Sequence, residues 1–396
     1  MRYPKSIKKG DTLGIIAPSY GGSSSPFKER LDASIENLKK AGYKVEPGPN
    51  AYAGKGLGKS NTPQACAAEI MDFFTVRNVD AIISAGGGET MCEDLRYVDF
   101  ERLAAASPKW FSGFSDNTNL TFTLATQCDT ASIYGPNAAH FWAKPLSMRS
   151  GDEAETGAHK GGSPVLADED FRSANFGRPQ RETLEIMSGA RNIVRSHDFW
   201  EKEPLGGDEI FPTANLAEPF SMKVSLPGET GGAGAVINDR DDRDAGVDDL
   251  CPEGKNVRFE GRLIGGCLDC LQVLAGTPYA GTEKFIKRYG NEGIIWFFEA
   301  CDLNPMGIRR AIWQLRENGW FEGVKGFLVG RPLHYGEDCL GMNQYNAVTG
   351  LLSEFNVPIL MDLDIGHTDQ MMPLVTGSHA VVETKGNSLS VRQDLV

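Results

Sequence analysis

Between Thr12 and Asn137 short apolar runs alternate with stretches of helical period, and this alternation constrains the fold more than any other feature of the chain. "TLGIIAPS" ends in Pro18-Ser19; a helix follows with Phe27, Leu31, Ile35 and Leu38 on one face, and Gly42 stops it. Next come "YKVEPG", a helix entered through Thr62-Pro63 with Ile70, Phe73 and Phe74 inside, and "VDAIISAGGG". The segment "WFSGFSDNTNLTFTLATQ" then reads as a strand running into a helix, and "ASIYGPN" as one more strand. Strand after helix in one order predicts a parallel sheet covered on both faces, with ligand-binding groups at the carboxyl ends of its strands. Three features lie at such ends: Ser19, the glycines 86 to 88, and Ser115.

Ser115 stands at the joint between strand and helix, with Asp116 or Asn117 expected to cap that helix. A serine on so sharp a turn is pushed out of the fold, and the N–H that follows it points where a tetrahedral oxyanion would form. The usual elbow is G-x-S-x-G, whereas Asn117 occupies the second position after this serine. The triple glycine lacks the G-x-G-x-x-G spacing and a Walker lysine, so a nucleotide cradle is not indicated. Glycine permits close approach of backbone N–H groups, which an oxyanion site beside Ser115 needs.

Length and charge limit the other functions. A chain of 396 residues is expected to form two domains: 1–150, carrying Ser115, and 256–396, with an acidic connector with loop insertions over 151–255. Residues 151–250 hold 21 acidic and 10 basic side chains, which is eleven of the thirteen net negative charges. A net charge of −13 argues against nucleic-acid binding through phosphates. No apolar run reaches the length of a membrane span and the N-terminal segment has no signal-peptide core, so a cytoplasmic protein is expected. Cys267 and Cys270 form a lone C-x-x-C; a structural zinc site wants a second pair, so core packing is the expected role and no metal or cofactor is expected.

In the second half, Glu299 ends the apolar run "IIWFF" and His367 follows "PILMDLDIG". A carboxylate closing a buried strand must be paired or hydrogen-bonded, which makes Glu299 conspicuous. Of the six histidines, His159 and His197 lie in the acidic connector and His379 precedes the last hairpin; His140 and His334, in loops after strands, are weaker candidates than His367. Ser115, His367 and Glu299 can supply a nucleophile, its base and the acid that orients the base. Spacing alone leaves an esterase of the α/β-hydrolase kind and a non-catalytic binding protein open.

Six ordered motifs add to this reading: "GDTLGIIAPS", "IISAGGGET", "PKWFSGFSDNT" with "YGPN", "GRLIGGCLDCL", "IIWFFEA" and "DIGHTDQMMPLVTG". Together they resemble the LD-carboxypeptidase family of serine peptidases, which includes the microcin C immunity peptidases, over about residues 4 to 143 and 256 to 396. The resemblance implies an N-terminal parallel-sheet, flavodoxin-like or Rossmann-like α/β domain, a C-terminal β-rich α/β domain, an active site between them and, commonly, a homodimer. It also implies a Ser115-Glu299-His367 triad, with the backbone N–H groups of Gly87 and Asp116 as oxyanion donors. Ala300 stands where the family often has Asp, a departure that bears on the support of Glu299. Ser19, Gly86 and Arg331 are candidates for binding substrate. The segment Gly86-Gly87-Gly88-Glu89-Thr90 resembles the immunity-type branch, which implies hydrolysis of an amide joining a peptidyl or aminoacyl group to a nucleotide-like leaving group. The alternatives are a murein tetrapeptide LD-carboxypeptidase that releases a terminal D-amino acid, and a binding protein on the same fold.

Overall fold

The computed structural model describes residues 1–142, 173–205, 210–211, 214–228 and 256–396. Its first half is built from β1 (Thr12–Ile16), α1 (Phe27–Lys40), β2 (Lys44–Pro47), α2 (Pro63–Thr75), β3 (Ala81–Ser84), α3 (Phe100–Ala105), β4 (Trp110–Gly113), α4 (Thr118–Cys128) and β5 (Ser132–Tyr134). The five strands lie in the order β5-β4-β3-β1-β2, all parallel, as the alternation predicts. Thr62 caps α2 by accepting from the Ala65 N–H, with Pro63 at the first helical position. Ile70, Phe73 and Phe74 then pack with Ile82 and Phe111 of the sheet. Leu31, Ile35 and Leu38 of α1 are buried on the opposite face, whereas Phe27, its first residue, is 44% exposed.

Part of the acidic segment does more than connect. Its described residues form α5 (Arg178–Met187), β6 (Ile193–Arg195), a hairpin of β7 (Phe199–Leu205) with β8 (Ala214–Pro219), and β9 (Lys223–Ser225). Residues 151–172, 206–209, 212–213 and 229–255 of that segment, His159 among them, lie outside the described residues. The second half contributes β10 (Arg258–Cys267), α6 (Leu268–Leu274), α7 (Thr282–Tyr289), β11 (Ile294–Glu299), α8 (Pro305–Glu317), β12 (Val324–Gly330), α9 (Gln344–Leu352) and β13 (Ile359–Leu363). After them come β14 (Leu374–Thr376), β15 (His379–Lys385) and β16 (Ser388–Gln393). An eight-stranded sheet runs β6-β16-β15-β10-β11-β12-β13-β9, parallel from β10 to β13 and antiparallel outside. The acidic segment thus closes both edges of this sheet, through β6 and β9.

The two halves are not separate bodies. β14, from the C-terminal part, adds antiparallel to β5 as the sixth strand of the first sheet. One apolar cluster joins Ile15, Ile83 and Ile133 of the first sheet to Phe297, Leu328 and Leu363 of the second. No described helix is long and apolar enough to cross a membrane.

Gly265 and Gly266, near the end of β10, leave no room for a side chain. A Cβ at Gly265 would be driven into the carbonyl oxygen of Phe297 on β11, and one at Gly266 into the side chain of Thr118 at the start of α4. Both glycines have positive φ, +155° and +148°, which L side chains rarely adopt. The Cys267 N–H donates to Thr118 Oγ1 at 2.8 Å, so β10 holds the helix that follows Ser115. Gly265→Ala is therefore expected to destabilise the protein by about 3 kcal/mol or more. Urea unfolding checks this, and a loss under about 1 kcal/mol would refute the packing argument.

Candidate active site

β4 ends at Gly113, and the chain turns through Phe114 into one 3-10 turn, Ser115–Asn117, before α4 begins. Ser115 sits at φ +64°, a left-handed conformation that costs a side-chain-bearing residue roughly 1–2 kcal/mol. Side-chain amides hold it there. Asn117 Nδ2 donates to the carbonyl of Gly86 (2.9 Å), to that of Phe114 (3.1 Å) and to Asn137 Oδ1 (3.1 Å), while Asn137 Oδ1 also accepts from the Phe114 N–H (3.2 Å). Asn117 occupies the N-cap position of α4, as expected, but its side chain makes no capping hydrogen bond. The buried Asp116 carboxylate accepts from the Met91 N–H and Asn119 Nδ2, each at 2.9 Å, and from the Ser19 hydroxyl. These two side chains tie the turn to the loops after β1 and β3.

The glycine loop abuts the serine. A Cβ on Gly87 would come within 3.0 Å of Ser115 Cβ and 3.1 Å of Oγ, so a side chain here would crowd the hydroxyl. Gly86 turns its carbonyl toward Asn117 and the Ser84 hydroxyl. Ser19 is fully buried and its hydroxyl is engaged by Asp116, which makes it a support of the turn.

Glu299 and His367 arrive from the second sheet. Glu299, the last residue of β11, is 1% exposed; its Oε1 accepts from the Tyr134 hydroxyl at 2.6 Å, and its Oε2 faces His367 Nδ1 at 2.9 Å. His367, in the loop after β13, places Nε2 2.9 Å from Ser115 Oγ. With Nδ1–H donated to the carboxylate, the Nε2 lone pair points at the serine hydroxyl. Burial works to lower the His367 pKa, but the Glu299 charge and hydrogen bonding with Cys301 and Glu299 outweigh it and raise it well above the ordinary histidine value. Burial keeps the Tyr134 phenol neutral, with the Glu299 charge acting in the same sense.

Tyr134 is the member that the sequence left unmarked. It supplies the hydrogen bond that Ala300 cannot, and it stands in ladder register with Gly113, two residues before Ser115. The tyrosine of "YGPN", at the end of the strand beside β4, was the available signal.

Other candidates fall elsewhere. Arg331 is 1% exposed, pairs with Asp364 at 2.6 Å and lies over the rings of Trp200 and Phe220, so it is not the open cation that a substrate carboxylate would need. His334 pairs with Glu337 and His379 with Asp394, while the N–H of buried His197 donates to Asp364. The His140 ring lies against Phe114, which also packs on His367. The C-x-x-C is more than core filling: Cys267 is in register with Glu299, and the Cys270 thiol approaches the Ser115 carbonyl at 3.6 Å. The sequence holds no cluster of metal-ligating residues, yet folding brings donor atoms of Cys267, Glu299 and His367 within 4.8 Å of one another. Asp269 accepts from the N–H groups of Cys301 (3.0 Å) and Asp302 (2.9 Å), which fixes the turn after Glu299.

A family model described as the LD-carboxypeptidase N-terminal domain matches residues 13–135, and one described as the LD-carboxypeptidase C-terminal domain matches residues 260–382. The chain is 22% identical to the microcin C7 self-immunity protein MccF of Escherichia coli, over 97% of this chain and 94% of that protein. It is 29% identical to a protein of Bacillus subtilis named a probable murein peptide carboxypeptidase, over 96% of this chain and 91% of that one. The solved structure of MccF with glutamyl sulfamoyl guanosine superposes with a TM-score of 0.69 at 20% identity, covering all of both chains, so the two share a fold. The two matched domains together span well over half of the sequence: the chain belongs to the LD-carboxypeptidase family and is a hydrolase of the serine carboxypeptidase type.

Proposed function

We propose that the protein hydrolyses an amide through Ser115, His367 and Glu299, and that its substrate joins an aminoacyl or peptidyl group to a nucleotide-like leaving group. The observation that carries the mechanism is the unbroken hydrogen-bond chain Tyr134–Glu299–His367–Ser115. Ser115 Oγ attacks the carbonyl carbon as His367 Nε2 takes its proton. The oxyanion is received by the N–H groups of Gly87 and Asp116, the first of which belongs to the backbone packed against Oγ. His367 then protonates the departing nitrogen, and water, activated by the same ring, releases the acyl group. Glu299 stabilises the imidazolium, and Tyr134 holds Glu299 in place.

Three observations favour the nucleotide-linked substrate: the "GGGET" loop, the likeness to MccF over nearly the whole chain, and the engagement of Arg331 by Asp364. A carboxypeptidase must hold the free carboxylate of the departing residue, and a fixed cation is the usual means. An acyl sulfamate, whose leaving nitrogen is acidic, also needs less help from His367 than a peptide amide. The murein tetrapeptide remains the second reading, favoured by the 29% identity to the Bacillus subtilis relative.

Three outcomes are expected. Ser115→Ala lowers kcat/KM by at least about a thousandfold with an unchanged thermal midpoint, and a fluorophosphonate probe labels the wild type at Ser115 and spares the variant; retention of more than a few per cent of activity would remove Ser115 from the mechanism.

His367 must be neutral to accept a proton, so activity is lost as pH falls through its pKa. Because that pKa is raised, the acid limb of kcat/KM lies above about 6.5. Glu299→Gln removes the charge that opposes burial, so the limb should move down as the rate falls, and its loss should not add to that of His367→Ala. A limb that stays in place in Glu299→Gln would place Glu299 outside the triad.

Finally, aminoacyl sulfamoyl adenylates should be cleaved, and a murein tetrapeptide turned over at least about tenfold less well in kcat/KM, equivalent to about 1.4 kcal/mol. Mass spectrometry of both reactions decides it: release of D-alanine with no action on the adenylate establishes the second reading.

A further inference from the structure

We propose that Cys267, Glu299 and His367 form an inhibitory site for a thiophilic divalent cation, Zn²⁺ above all, built onto the catalytic groups themselves. The site is assembled by three separate elements. The sulfur comes from the end of β10, the carboxylate oxygen from the paired position on β11, and the ring nitrogen from the loop after β13. Their donor atoms already lie within 4.8 Å of one another, with Nδ1 and Oε2 2.9 Å apart. Tetrahedral zinc, with bonds of about 2.0–2.3 Å, holds its donors roughly 3.5 Å apart, so adjustments of about 1 Å suffice. One sulfur, one imidazole nitrogen and one carboxylate oxygen suit zinc or cobalt and not the hard cations magnesium and calcium.

Occupancy would disable the base by a change of tautomer. The cation takes the Nδ1 lone pair, so the ring proton that Nδ1 gives to Glu299 moves to Nε2. The Cys267 thiol loses its proton to solvent as the sulfur binds. Nε2 then donates to Ser115 Oγ and cannot accept its proton. The thiolate and Glu299 together balance the two charges of the cation, which makes it tolerable in a buried position. No oxidation is involved, and chelation should reverse the effect.

This inference rests on the triad reading for its effect on activity and not for the binding itself, so the test has two readouts. The first is the absorption spectrum of the full chain with Co²⁺, in which thiolate ligation gives a charge-transfer band in the near ultraviolet. The second is the rate at which a fluorophosphonate labels Ser115 with and without equimolar Zn²⁺. The wild type should show the band, and Zn²⁺ should slow labelling at least tenfold, with full recovery on adding EDTA. Cys267→Ser and Cys267→Ala should label at the wild-type rate in the absence of metal, lose the band and lose the zinc sensitivity. The near-isosteric serine variant covers the case in which alanine disturbs the fold. Absence of the band in the wild type, or its persistence in both variants, overturns the site. A band that depends on Cys267, accompanied by unchanged labelling, overturns the inhibition. A wild type that the probe never labels counts against the triad reading alone, and the cobalt spectrum still decides the metal site.

Discussion

The carboxylate of Glu299 is the constraint around which the two halves are organised. A charged group buried to 1% exposure is tolerable only when its oxygens are satisfied, since an unpaired carboxylate there would cost several kcal/mol. Its two oxygens take their partners from different sheets: Tyr134 from the last parallel strand of the first, His367 from a loop of the second. The carboxylate is therefore satisfied only when both halves are folded and docked. Assembly of the candidate site thus requires both halves, which share one apolar cluster and the strand β14 that crosses into the first sheet.

Around Ser115 the structure trades local strain for position. The left-handed serine is flanked by the Asn117 amide and the buried Asp116 carboxylate of its own turn, and these bond to groups of the loops at the carboxyl ends of β1, β3 and β5. A hydroxyl fixed in this way would need little reorganisation for the attack proposed above, which is the physical content of preorganisation. Asn117, the departure from the usual elbow pattern, has a use: a smaller residue there could not bridge Gly86 and Asn137. Gly113 provides the room, because a Cβ at that position would press on Asn117 within 2.9 Å.

Much of the fold was legible because the apolar periods are local properties of the chain. The parallel order of the first sheet, the strand ending in Glu299 and the closing hairpin all follow from runs of a few residues. The acidic segment was read as a connector because its composition is loop-like; β6 and β9 have three residues each, too short to show a period, and are strands only because they find the edges of a sheet made by other segments. Arg331 looked like an available cation for a related reason. Its partner, Asp364, is 33 residues away, and only the pairing of β12 with β13 brings the two together.

What the sequence determined by itself was the identity of the chemical groups and the local structures that present them: a serine on a strand-to-helix turn, a glycine loop, a carboxylate ending a buried strand and a histidine after another. What only the tertiary structure decided was which groups meet. Tyr134 became the support of Glu299, Ser19 and Asp116 became braces of the serine turn, and Cys267 came to lie beside Glu299 and His367. The physical reason is range: helix and strand periods are set by neighbours a few residues apart, whereas a hydrogen bond spanning 165 or 252 residues exists only after two sheets have packed, and nothing in the intervening chain records it.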